Sequence, residues 1–190
     1  NALALDTGGS NTAVGSGALD ANTTGVRNVG IGLNALGLAS TSSDNVAIGD
    51  NAANAILTSG EYNVAIGTDA LGADVSGDSN VAVGYNALLS ATGSNNIGIG
   101  SLAGDAQTSG TGNLTIGYNV DNASTIAANQ MNIGGLLWSD GYNTAAGSAV
   151  STGGLGLGGM PAAGTLLSIE TGGVGRNMVT SVGMGIDVEA

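Results

Sequence analysis

The chain has 190 residues, of which 36 are Gly, with one Pro, no Cys, no His and a formal net charge of −12. Its two cations, Arg27 and Arg176, are too few to neutralise phosphates, which makes nucleic acid and anionic membrane surfaces poor partners. No Ser-His or Cys-His nucleophile and no disulfide framework can be built, no apolar run approaches the roughly 18 residues of a membrane span, and a hydrophobic content of 42% argues against disorder.

In chain order, the first feature is a start inside a repeat. Asn1-Ala2-Leu3 matches Asn34-Ala35-Leu36 and Asn86-Ala87-Leu88, which follow complete units. The reading is a segment of a longer polypeptide. The unit itself runs Asn11-Thr12-Ala13-Val14-Gly15, Asn28-Val29-Gly30-Ile31-Gly32 and Asn45-Val46-Ala47-Ile48-Gly49. It continues as Asn63-Val64-Ala65-Ile66-Gly67, Asn80-Val81-Ala82-Val83-Gly84, Asn96-Ile97-Gly98-Ile99-Gly100 and Asn113-Leu114-Thr115-Ile116-Gly117, with a weaker copy at Asn132-Ile133-Gly134-Gly135. From one Asn to the next the steps are 17, 17, 18, 17, 16, 17 and 19 residues. A period of this kind means units that must stack on neighbours to bury anything.

Each unit has two apolar pieces. In the first, alternation along an extended chain puts the large β-branched residues on one face. That face is taken as the coil core: Val14, Ile31, Val46, Ile48, Val64, Ile66, Val81, Val83, Ile97, Ile99 and Ile116. The opposite face is small at every unit, which lets either the facing wall of the coil or a neighbouring chain come close. The second piece is Ala-Leu at 18–19, 35–36, 70–71 and 87–88. Ser, Thr, Gly and Asp between the pieces are turn residues. Two short strands and two turns per unit make one coil of a β-solenoid. Stacking aligns Asn11, Asn28, Asn45, Asn63, Asn80, Asn96, Asn113 and Asn132 in one column, where side-chain amides can form a ladder. Ordering about 17 residues costs more backbone entropy than three large side chains return, so the reading also expects association into an oligomer.

Asn-Val-Ala-Ile-Gly followed by Asn-Ala-Leu resembles the head repeats of YadA-type trimeric autotransporter adhesins. That resemblance implies a left-handed parallel β-roll in a homotrimer. With its longer units, the chain is still more similar to the shafts of bacteriophage tail fibres, over about residues 1–135. The expected partners are then two further copies, other tail or appendage proteins, and a host surface glycan or protein receptor.

Residues 136–190 read as a Gly-rich, β-structured C-terminal section. The stretch from Ser151 to Pro161 is similar to a fibre junction that precedes a self-cleaving chaperone, although the expected Thr is missing. Residues 178–188 alternate as a half-buried strand, with Met178 and Met184 as core filler.

Little chemistry is legible. Gly154-Leu155-Gly156-Leu157-Gly158-Gly159 and Gly98-Ile99-Gly100-Ser101-Leu102-Ala103 fit dinucleotide-loop spacing, but no helical period surrounds them. Asp69, Asp74 and Asp78 read as solvated turn carboxylates rather than calcium ligands. Tyr85 and Tyr118 hold the same slot two units apart and, with Trp138, are the candidate receptor contacts. The expectation is an all-β homotrimeric fibre without cofactor, metal or enzymatic activity, extracellular on a virion or a bacterial surface. Its job is that of a spacer supporting host attachment; the alternative is the head of a bacterial surface adhesin.

Overall fold

A computed structural model describes residues 7–55, 60–73, 76–139 and 155–157. The chain winds into a parallel β-solenoid of about seven turns with coils of about 17 residues. Seven strands come one per coil: β1 Thr12–Val14, β2 Val29–Ile31, β3 Val46–Ile48, β4 Val64–Ile66, β5 Val81–Val83, β6 Ile97–Ile99 and β7 Leu114–Ile116. The eighth, β8 Met131–Ile133, closes the parallel stack; β9 Leu137–Ser139 and β10 Leu155–Leu157 then add antiparallel to one continuous sheet. Eight parallel rungs at about 4.8 Å make a rod about 34 Å long. Gly134 and Gly135, at φ 58° and 69°, reverse the chain between β8 and β9. Residues 178–188 and the junction at 158–161 lie outside the described residues.

Register follows the repeat. Val29 pairs with Val46, Gly30 with Ala47 and Ile31 with Ile48, and the same equivalence holds from coil to coil. Among the described residues the expected second strand does not form. Leu19, Leu36, Leu71 and Leu88 stand at φ of 50–53°, a left-handed bend that an extended strand cannot contain. These bends still stack: the Leu19 N–H donates to the Ala35 carbonyl at 3.0 Å, and Leu71 to Ala87 at 3.0 Å.

The inside of the coil is the reverse of the expected one. Ala47, Ala65 and Ala82 are fully buried, whereas Val14 is 57% exposed and Ile48 and Ile66 37%. Ile31, Ile97 and Ile99 are likewise exposed, and Val46, Val64, Val81, Val83 and Ile116 are half-buried. None of the eleven residues assigned to the coil core fills it. The reason is width. A Cβ on Gly30 would lie 3.0 Å from the Ala35 carbonyl oxygen and 3.3 Å from Leu19 Cγ; one on Gly98 would lie 2.6 Å from Leu88 Cγ. The strand's inner face therefore admits little beyond Ala, and the facing wall is what approaches it. The core is the Ala-Leu piece packed against the strand's inner Ala47, Ala65 and Ala82, with Leu19, Leu36, Leu71 and Leu88 as its largest apolar members.

The Asn column forms, with one change of register. Each Asn Oδ1 accepts the backbone N–H one coil on, from Asn11 to Asn28 through Asn96 to Asn113, at 2.8–3.0 Å. Each Nδ2 donates to a turn carbonyl of that next coil, as from Asn63 to Gly77 and Asn80 to Gly93, both at 2.9 Å. The ladder is thus mostly amide to backbone. At its end the acceptor Asn113 takes the N–H of Gln130 at 2.7 Å. Gln130, not Asn132, is the eighth member, because 17 residues and not 19 complete that coil. Asn132 pairs with Thr115 in the strand and lies inside the coil, 1% exposed.

Candidate functional site

With the small residues inside, the sheet turns its β-branched side chains outward. Their first column runs from Val29 to Met131 and the second from Val14 to Ile133, paired rung by rung. The columns are about 7 Å apart along each strand and about 29 and 34 Å long. Parallel sheets normally have both faces covered. A contiguous apolar strip of this size on a surface marks an interaction site.

A second exposed feature lies just past the Gly that ends each strand. Backbone hydrogen bonds from Asn86 N to Thr68 O, Leu102 N to Tyr85 O and Asn119 N to Ser101 O, at 2.8–3.0 Å, place Thr68, Tyr85, Ser101 and Tyr118 in one column. Tyr85 is 52% and Tyr118 77% exposed. Trp138 is not part of this column. Its main chain lies in β9, opposite Asn132 and Gly156. Asp69 and Asp78 sit at different bends. The Asp69 N–H donates to the Asp50 carbonyl at 2.9 Å, while Asp78 Oδ1 accepts the Glu61 N–H at 2.9 Å and its own N–H donates to Ser94 Oγ at 3.0 Å. Asp74 lies outside the described residues. Among the described residues no group of three or more acidic side chains is placed to hold a metal, and no helix is long and apolar enough to cross a membrane.

Charges that share a slot in successive coils meet across one rung. Arg27 and Asp44, 17 residues apart, form a two-pronged ion pair with Nε to Oδ1 at 2.6 Å and Nη2 to Oδ2 at 2.7 Å. The Arg27 hydrogen bond holds the Asp44 carboxyl below its ordinary range. Asp121 differs: burial pushes its carboxyl up, the Ala106 N–H opposes that shift, and the charge of Asp105 adds to it. An acid with a raised folded-state pKa penalises folding in full above that pKa; the penalty shrinks as pH falls through it and is gone below the unfolded-state value. Asp121→Asn should therefore melt at or above the wild type at pH 7. The gap should close as the buffer is taken below about pH 3.9, the ordinary Asp value, as read from paired thermal melts.

The sequence reading missed a polar interior in the last coils. Asn122 Nδ2 donates to Thr115 Oγ1 at 2.8 Å and to Gln107 Oε1 at 3.2 Å, and Gln130 Nε2 donates to the carbonyls of Ser124 and Ala127. Room for Thr115 comes from Gly104, which stands where earlier coils have Leu; a Cβ there would lie 3.5 Å from Thr115 Oγ1. The loss of Leu from the Ala-Leu piece at Ala103-Gly104 was the available signal. Set against family models, curated proteins and solved structures, the chain matches none of them.

Proposed function

We propose that this chain is the shaft of a homotrimeric fibre, a virion appendage such as a tail fibre that holds receptor contacts away from the particle. The supporting observation is the outward double column of Val, Ile and Leu on a sheet whose own coil buries mainly Ala and Leu. An isolated rod would leave that strip in water. Burying it at about 25 cal/mol per Å² gives parallel, in-register copies a reason to associate, and a closed ring of copies leaves no sticky face. The repeat's likeness to adhesin heads keeps a bacterial surface adhesin as the second reading; both share the trimer and the spacer role.

Two measurements test this. Ile48→Asp with Ile66→Asp places two carboxylates on the strip without touching the coil interior. Sedimentation equilibrium should show a trimer for the wild type and loss of the trimer for the double variant, with a lower melting temperature followed by β circular dichroism. A wild-type chain that sediments as a folded monomer at micromolar concentration removes the proposal. Immunogold labelling with an antibody to this chain should decorate virion tails; decoration of a bacterial surface alone selects the adhesin.

A further inference from the structure

We infer that the Tyr85–Tyr118 column is a lateral binding track for an extended, neutral, β-linked glycan chain. The inference rests on the reading of the rod as an attachment appendage and gives that rod a ligand along its side. The two residues occupy equivalent backbone positions. Tyr85 stands between Gly84 at φ 137° and Asn86 at φ 53°, and Tyr118 between Gly117 at φ 139° and Asn119 at φ 52°. Equal bends start both side chains in the same direction from the same edge of the coil. Two rungs separate them, about 10 Å, close to one disaccharide of an extended β-1,4-linked chain. Ser101 between them and Thr68 before them are short, so the rings stand clear of their neighbours in the column. A Tyr ring offers an apolar body with a polar tip, which suits the apolar face and hydroxyl rim of a pyranose.

Charge narrows the class. The chain carries −12 overall. The one described cation, Arg27, lies several rungs away and is already paired with Asp44. An anionic polysaccharide would be repelled, and a neutral one would not. The fixed rung spacing favours a ligand with its own linear repeat over a compact protein epitope.

The test is titration calorimetry of the intact chain with cellohexaose and with chitohexaose. Maltohexaose, which is α-linked and curved, and polygalacturonate, which is anionic, serve as comparisons. The expected result is binding of at least one β-1,4 hexasaccharide in preference to both comparisons. Tyr85→Ala with Tyr118→Ala should weaken it at least tenfold. Tyr62→Ala, which removes another exposed ring (59%) from a different column, should leave it unchanged. Absence of binding by both hexasaccharides at millimolar concentration overturns the inference, as does equal binding by the double Tyr variant. A double variant that sediments as a dissociated chain also overturns it, because the rings would then belong to the contact between copies. The trimer proposal is judged separately by the isoleucine variants, so either can fail alone.

Discussion

Gly67→Ala should destabilise the rod strongly, as should the same change at the equivalent corner glycines. Gly67 sits at φ 132°, and a Cβ built there would lie 2.5 Å from the Gly84 carbonyl oxygen and 2.7 Å from its carbonyl carbon. Both obstacles are backbone, so no rotamer change relieves them. The left-handed conformation costs an L-residue about 1–3 kcal/mol, and overpacking against fixed atoms costs another 1–3 kcal/mol or so. The expected loss is about 2–6 kcal/mol. Gly9→Ala is the control, because Gly9 has nothing within 4 Å of its would-be Cβ; its effect should stay within about 0.5 kcal/mol. Denaturant melts of the two variants beside the wild type decide it. Equal stability of all three would mean that the corners do not stack glycine on glycine.

Asn80→Ala should be nearly as damaging, for a different reason. The side chain of Asn80 is fully buried. Its Oδ1 takes the Asn96 N–H at 2.8 Å and its Nδ2 gives to the Gly93 carbonyl at 2.9 Å. Truncation strands two buried backbone groups, each costing about 1–3 kcal/mol, for an expected loss of about 2–6 kcal/mol. Asn80→Asp keeps the acceptor for Asn96 but turns a carboxylate oxygen toward the Gly93 carbonyl. It should remain destabilised at neutral pH and recover partly in acid, where a protonated Asp can donate. A pH series of melts on both variants reads this directly, and an Asp variant insensitive to pH would contradict the ladder.

The period, the parallel stack and the Asn column were legible because each rests on what recurs. Asn, Gly and the small residue between Val and Ile return at nearly fixed spacing, and stacking converts fixed spacing into register. The inside and outside of the coil were misassigned because alternation tells which residues share a face, not which face is inner. That depends on coil width, which the Ala-Leu wall sets. The persistent smallness of Ala13, Gly30, Ala47, Ala65, Ala82 and Gly98 was the clue, since an inner wall pressed against another has to be small. Asn132 was misplaced because residue type was followed where spacing was the stronger guide: Gln130 stands 17 residues after Asn113 and performs the same hydrogen bonding. The bend at each Leu was not legible, since nothing about Leu favours a positive φ; rung-to-rung hydrogen bonding and burial of the side chain hold it there. For the candidate site, the shared slot of Tyr85 and Tyr118 could be counted from the period, whereas the Arg27–Asp44 pair needed the register to be seen.

The coil geometry has a mechanical corollary. One turn advances the rod by about 4.8 Å, yet its roughly 17 residues can reach about 56–61 Å when drawn out. A single turn peeled from the end under load would therefore pay out about twelve times its own height. Such a filament yields in small, separate increments while the remaining turns keep their shape, which suits a tether that must absorb a tug without snapping.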